Sequence, residues 1–456
     1  MKKWIWSGAI VILITAVAII ARPILLILSG FGAKNLCSCV YNSGREPSSV
    51  LKNELGNFPL TLGNFYLDKK DSSATGSVLG FAKRTAVYKN GEGCTLLVDY
   101  SKEEFKQRKP MPIELSAVEI DTLPWPFGTQ FPDTVIPGVN YSKLSAIMDD
   151  AFTEVEGERK KNTRGVVIVY DGQMILERYS EEFDPETPQM GWSMSKSIIN
   201  ALVGILVSQE KLDVYSPAPV PEWSDRADPR HLISIDQLLR MSSGIEWEEN
   251  YGAPSSATNM LFTSGDMGKY TASLPLEAPP DSLWKYSSGS SNLLSRIIKQ
   301  ITDEDYLSFV DRELFSKLGI KSIVWEKDES GTLVGSSFMW ASPRDWAKLG
   351  LLFLNDGVWN GERILPEGWV EYSSTPTPKA TRGYGAHFWL NRMQERENTQ
   401  HPDAPADMFS MQGFEDQRVF IIPSRKLVIV RLGQTSDEHF GFNAFLKNIL
   451  ECFPDR

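Results

Sequence analysis

Residues 191–212, GWSMSKSIINALVGILVSQEKL, open with serines at 193, 195 and 197 and a lysine at 196, then turn almost wholly apolar. From Ser193 onward, Ile198, Ile199, Ala201, Leu202, Val203, Ile205, Leu206 and Val207 cover nearly every face of a helix. A helix apolar all round is a buried helix. Ser193 and Lys196 stand three apart, so they are neighbours on one face, while Ser195 points to another side. The ammonium thus lies where burial disfavours charge and lowers a lysine pKa. A neutral lysine beside a hydroxyl takes its proton and makes a nucleophile. The structural alternative is that Ser193 caps the helix and Lys196 snorkels from its first turn. Ser193 lacks the Glu or Gln three residues on that completes a capping box, which weakens that alternative.

Outward from this helix, strands gather at both ends of the surrounding region. RGVVIVYDGQMILERYS (164–180) gives two strands around Asp171-Gly172, a strong hairpin signal. YGAHFWLN (384–391) and RVFIIPSRKLVIVRLG (418–433) supply late strands, with Pro423-Ser424 at a turn. Helical segments dominate between Ser193 and Leu354. Leu144, Ile147, Met148, Ala151, Phe152 and Val155 recur at helical spacing before them, and a last helix is expected from Phe442 to Ile449. The simplest packing is one antiparallel sheet built from both ends, flanked by helices and carrying an inserted helical lobe, an α/β (α+β) architecture over residues 139–456.

Residues 1–30 are of another kind. Lys2 and Lys3 precede Trp4–Ala21, about 18 residues without a charge, close to the length that crosses a bilayer. Arg22 and Pro23 interrupt the run and Ile24–Leu28 resume it. A buried core helix is the structural alternative; otherwise two fates are open: a signal peptide cleaved among the small residues Ser29–Ala33, or an uncleaved transmembrane anchor, favoured because the run exceeds a usual signal core. Either places the bulk of the chain outside the cytoplasm, on the periplasmic or extracellular side. Residues 31–138 form an extension with a hairpin at Asn90-Gly91 and six prolines between 110 and 137, a linker or clasp. In an oxidising compartment Cys94 is a partner for Cys37 or Cys39. The four cysteines show no zinc spacing. A formal net charge of −11 argues against nucleic acid as a partner.

RGVVIVYDGQMILERYSEEF (164–183) and GWSMSKSIINALVGILVSQEKLD (191–213) together resemble the serine hydrolases related to class C β-lactamases. Within that group the likeness is to nylon-oligomer (6-aminohexanoate-dimer) hydrolases and family VIII esterases. ISIDQLLRMSSGIEW (233–247) and MWASPRDWAKLGLLFLNDGVWNGERILPEGWV (339–370) are similar to family stretches in the same order. The resemblance implies a β-lactamase/transpeptidase-like fold and a Ser-Lys-Tyr mechanism without cofactor or metal. Its tyrosine motif, Y-x-N, matches Tyr286-Ser287-Ser288, with Ser288 in place of the asparagine. Its K-T-G matches Met411-Gln412-Gly413, with the lysine absent. By the same resemblance, the N–H groups of Ser193 and Phe414 form the oxyanion hole, beside Gly413. Tyr251 corresponds loosely to a pocket tyrosine of the nylon-oligomer enzymes.

The expected catalytic set is therefore Ser193, Lys196 and Tyr286, with Gly413, Phe414, Ser288 and Tyr251 at the substrate. The loss of a cation at Met411 shifts the expected substrate from an anionic β-lactam to a small ester, amide or peptide. A cell-wall peptide-binding protein and a D-amino-peptidase or transpeptidase on the same scaffold are the competing readings. Among the histidines, His231 reads as structural and His387 as a residue able to approach the site from its strand. No Gly-x-Ser-x-Gly surrounds a serine here, so a serine–histidine triad is not expected.

Overall fold

The computed structural model describes residues 2–78, 80–115, 122–132, 135–156, 160–392, 399–435 and 440–454; the side chains of residues 2–20 and all of His439 lie outside that description. The chain folds as two compact units. Residues 1–110, 247–271 and 326–332 make the first, and residues 111–246, 272–325 and 333–456 the second.

In the first unit a long helix, α1 (Lys2–Ser43), lies on an antiparallel meander, β1 (Gly63–Asp68), β2 (Ser73–Val78), β3 (Phe81–Lys89) and β4 (Gly93–Leu97). The Asn90-Gly91 hairpin forms between β3 and β4, with Gly91 and Gly93 both at φ 73°. α1 runs through Arg22 and Pro23 as one helix and becomes buried from Ile27 onward. The described stretch long and apolar enough to cross a membrane is Ala21–Ser43, and 61% of an 18-residue apolar window within it is buried in the protein. The small residues at 29–33 let the helix press on the sheet. A Cβ on Gly32 would fall 2.0 Å from the Phe65 ring, and one on Gly76 would fall 2.3 Å from the Ser29 carbonyl oxygen.

Cys94 is disulfide-bonded to Cys37, and Cys39 stays a buried thiol. Beside the disulfide, Lys34 Nζ lies 2.8 Å from the Glu326 carboxylate, which also accepts from Ser38 Oγ and the Cys94 N–H, each at 2.7 Å.

The second unit is organised by β5 (Thr163–Tyr170), β6 (Gln173–Tyr179), β7 (Gln189–Met190), β8 (Val324–Trp325), β9 (Met339–Ala341), the short hairpin β10 (Val358–Trp359) and β11 (Glu362–Arg363), and β12 (Trp389–Leu390), β13 (Phe409–Gly413), β14 (Gln417–Ile422) and β15 (Leu427–Gly433). Six of these make one antiparallel sheet, ordered β12-β13-β14-β15-β5-β6, so strands from both ends of the region do meet. Asp171 and Gly172 turn between β5 and β6 with φ of 49° and 79°, the left-handed pair a two-residue hairpin needs. The six prolines expected as a linker or clasp all lie among the described residues, although residues 116–121 and 133–134 of that stretch do not; from Met111 on, the stretch belongs to this unit.

The continuous apolar runs of β5, β14 and β15 are explained by burial on both faces. Val167, Val169, Val419, Ile421, Val428 and Val430 point into one core. Val166, Ile168, Phe420, Ile422, Leu427 and Ile429 point into the other. The second core is covered by α2 (Tyr141–Phe152) and, at the end of the chain, Phe442–Leu450; the helical period ends at Phe152, and Val155 is exposed beyond it. The first core holds α3 (Ser195–Ser208), α4 (Ser288–Thr302) and α5 (Pro343–Leu354), the last of which packs directly on β14, β15 and β5. YGAHFWLN contributes only Trp389–Leu390 to the sheet, as its edge strand.

Candidate active site

The segment before α3 is held from two sides. β7 pairs with β9, and the Gly191 N–H donates to the Met339 carbonyl at 2.9 Å. Opposite, the end of β13 closes on the same glycine, so that a Cβ on Gly413 would stand 2.1 Å from the Gly191 carbonyl oxygen. A Cβ on Gly191 would in turn meet the Trp346 ring at 2.2 Å. Clamped there, Trp192 adopts φ 48°, a conformation rare for a bulky side chain, and a tight 3₁₀ turn Trp192–Met194 delivers Ser193 ahead of the helix. The α-helix proper starts at Ser195, whose hydroxyl donates back to the Trp192 carbonyl at 2.7 Å. Ser193 is therefore not the helix cap but a half-buried hydroxyl at its mouth.

Lys196 does not snorkel. It is 1% exposed, and its ammonium nitrogen lies 3.0 Å from Ser193 Oγ, 3.0 Å from Ser288 Oγ and 3.1 Å from the Ser336 carbonyl oxygen. The Tyr286 ring stands 5.0 Å from the same nitrogen. Ser288 opens α4, whose N-cap Ser287 accepts from the Ser290 N–H. The tyrosine thus sits just outside a helix end that is itself fixed. Its ring packs against Trp389 at 5.2 Å and edge-on against Tyr384 at 5.8 Å. Two segments distant in sequence, one carrying Ser193 and Lys196 and the other Tyr286, bring a primary alcohol, an amine and a phenol ring to one place.

Two contributors carry no signal of their own in the sequence. Asn292 donates to Ser336 Oγ at 3.0 Å and accepts the Ser336 N–H at 3.2 Å, which fixes the carbonyl that receives Lys196. Asn292 is one helical turn beyond Ser288 on α4, the single trace available. Ser336 lies in a loop with nothing to distinguish it from other serines.

His387 lies behind the lysine, fully buried, with φ 60°. Its Nδ1 is 3.0 Å from the Lys196 carbonyl, which only accepts, so Nδ1 carries the proton and Nε2 accepts from Ser291 Oγ at 3.1 Å. Burial, and secondarily the charge of Lys196, push its pKa down to about 3. It supports the helix as a neutral imidazole. His231 is bonded to the Asp228 carbonyl through Nδ1 at 2.6 Å, as a structural histidine would be.

Of the expected substrate residues, Gly413 closes β13 beside the Ser193 turn, and Phe414 follows it, about half exposed and edge-on to Trp192 at 5.5 Å. Met411 is wholly buried in the core. Tyr251 belongs to the first unit, where its hydroxyl donates to Glu249 at 2.7 Å.

A family model described as Beta-lactamase matches residues 148–449. The 6-aminohexanoate-dimer hydrolase of Paenarthrobacter ureafaciens is 24% identical over 249 residues, 52% of this chain and 62% of that enzyme, so the chain spans about three fifths of that relative's length. Among solved structures, one described as "Putative 6-aminohexanoate-dimer hydrolase from Bacillus anthracis" superposes with a TM-score of 0.56 at 22% identity, covering 77% of this chain and 90% of the other. EstCE1, a hydrolase with promiscuous acyltransferase activity, gives 0.55 at 15% identity, covering 68% and 97%.

Proposed function

Because the chain belongs to the Beta-lactamase family, we propose that it is a serine hydrolase that cleaves a small ester or amide through an acyl-enzyme on Ser193. The observation that carries this reading is the 3.0 Å approach of Lys196 Nζ to Ser193 Oγ inside a buried core, with Tyr286 alongside. Ser193 Oγ bonds to the substrate carbonyl carbon as its proton passes to the lysine amine. The N–H groups of Ser193 and Phe414 receive the charge that develops on the carbonyl oxygen. Collapse of the tetrahedral adduct breaks the bond to the alcohol or amine, which leaves with a proton relayed through Lys196 and Tyr286. Water then attacks the acyl-enzyme, giving its proton to the same base and returning the serine hydroxyl.

The character of the site supports an uncharged substrate. The position that would carry the third motif's lysine holds the buried thioether of Met411. Phe414, Tyr286 and Trp389 offer aromatic surface instead. The 6-aminohexanoate-dimer hydrolase relative favours an amide. The N-terminal helix is read as a retained membrane anchor, with the hydrolase outside the cytoplasm. That is supported by the disulfide and by the burial of residues 29–37, which a cut at 29–33 would sever.

The test is turnover of short p-nitrophenyl esters and amino-acid amides with labelling by a fluorophosphonate. Wild type is expected to label once and turn over. Ser193→Ala is expected to lose labelling and at least about 1,000-fold in kcat, as is usual when a nucleophile is removed. Wild-type turnover by Ser193→Ala overturns the proposal.

A further inference from the structure

The first unit exposes large apolar side chains at one end of its sheet. Phe58 is 80% and Phe81 69% exposed, and Leu62 is exposed beside them. The register places them together. Phe81 pairs with Val78, Val78 pairs with Gly63, and Leu62 directly precedes Gly63. Phe58 lies in the turn just before, where the Leu62 N–H donates to the Pro59 carbonyl and the Thr61 N–H to that of Asn57.

The same end is where α1 leaves the unit. Counting back along α1, Tyr41 stacks on Tyr88 at 4.5 Å, Cys37 is bonded to Cys94, and the Ser29 carbonyl lies over Gly76, the partner of Arg84. Tyr41 and Cys37 both meet the Tyr88–Cys94 level of the sheet and Ser29 meets the Gly76–Arg84 level, so α1 read backwards runs along β3 from Tyr88 toward Phe81. Arg22 is close enough to Arg84 for their charges to interact. Ahead of Ile27, the residues Arg22, Pro23 and Ile24 are exposed, and the uncharged run Trp4–Ala21 precedes them.

From this geometry we propose that this end of the first unit is a lipid-docking rim. Phe58, Leu62 and Phe81 enter the boundary between headgroups and acyl chains, and the exposed Arg22 and Lys83 meet anionic headgroup phosphates. The occupant is a bilayer because the apolar run enters the unit at this very end. A chain anchored by that run carries the three side chains at interface depth, where aromatic residues are favoured. Arg84, held by Asp99 and Glu329, is not needed for the contact. The rim fixes the height and tilt of the unit over the membrane, which a flexible tether does not. The proposal rests on the anchor reading above.

The full chain, with Cys39→Ala and Cys452→Ala and the Cys37–Cys94 disulfide retained, is reconstituted in vesicles of phosphatidylcholine and phosphatidylglycerol. A nitroxide is placed in turn at Ile12→Cys, Phe58→Cys, Lys70→Cys and Phe81→Cys. Positions 58, 70 and 81 are exposed, so labelling them removes no buried contact. Collision rates with oxygen and with a water-soluble nickel chelate report depth. Positions 58 and 81 are expected several-fold more accessible to oxygen than to nickel. Position 70, at the far end of the sheet beyond the pair Asp68–Ser73, is expected to show the reverse. Position 12 is expected deepest. Should 58 and 81 behave like 70 while 12 is deep, the rim is refuted and the anchor stands. Should 12 also be aqueous, the anchor reading fails and the rim fails with it.

Discussion

Lys196 shows how much of a site is made by what surrounds a side chain. Three oxygens, from Ser193, Ser288 and Ser336, surround its nitrogen at 3.0–3.1 Å, and no carboxylate is among them. Two hydroxyls and a carbonyl satisfy an amine without fixing it as a cation, which a base requires. His387 completes this arrangement from behind and leads to a prediction in pH. Its folded pKa, about 3, lies below the ordinary 6.5, so between those values the unfolded chain binds a proton that the native chain refuses. Stability therefore rises with pH up to about 6.5 and is lost as pH falls toward 3. The loss should be on the order of a few kcal/mol. His387→Gln keeps a side chain that donates to the Lys196 carbonyl and does not titrate. Thermal midpoints between pH 4 and 7 should slope less steeply in that variant than in wild type; parallel slopes would contradict the assignment.

At the scale of elements, the turn that carries Ser193 depends on two glycines meeting edge to edge. β13 ends at Gly413 against the carbonyl of Gly191, and Trp346 stands behind Gly191. Gly413→Ala is expected to drive its methyl into that carbonyl, separate the Phe414 N–H from the Ser193 N–H and lose about 100-fold or more in kcat, the usual cost of one oxyanion donor. Unfolding midpoint and kcat are measured together. A variant as active as wild type would place the oxyanion donors elsewhere.

Much of this layer was legible in the sequence. The Asp171-Gly172 hairpin, the doubly apolar strands 164–170 and 418–433 and the buried helix announce themselves by local period and turn chemistry. The start of that helix was read two residues early because the 3₁₀ turn Trp192–Met194 has no local signature; its φ of 48° is imposed by Gly413 and Trp346 from elsewhere in the chain. Ser336 and Asn292 were missed for the same reason. A carbonyl's role is written in the fold around it and not in its own residue type.

For the molecule as a whole, the first unit is not a stretch of sequence but an assembly of three. Residues 326–332 supply it with carboxylates from far along the chain. Glu329 accepts the N–H groups of Val98, Asp99 and Tyr100 at 2.9–3.1 Å, closing the end of β4. Glu326 is wholly buried beside Lys34, itself 2% exposed, and takes further hydrogen bonds from Ser38, Asn42 and the Cys94 N–H. No linear reading separates these glutamates from surface acids, since Glu326 follows Trp325 in an unremarked stretch. Removing one member of a buried ion pair leaves the other charge uncompensated, at a cost of about 3–5 kcal/mol. Glu326→Ala is thus expected to destabilise the first unit by that order, and more than Glu326→Gln, which keeps the hydrogen bonds from Ser38 and Cys94. The readout is the rate at which the Cys37–Cys94 disulfide is reduced by a thiol under native conditions, because that bond is buried and opens only when α1 lifts from β4. Reduction should be fastest in Glu326→Ala, intermediate in Glu326→Gln and slowest in wild type. Equal rates in all three would mean that the buried pair does not hold the helix to the sheet.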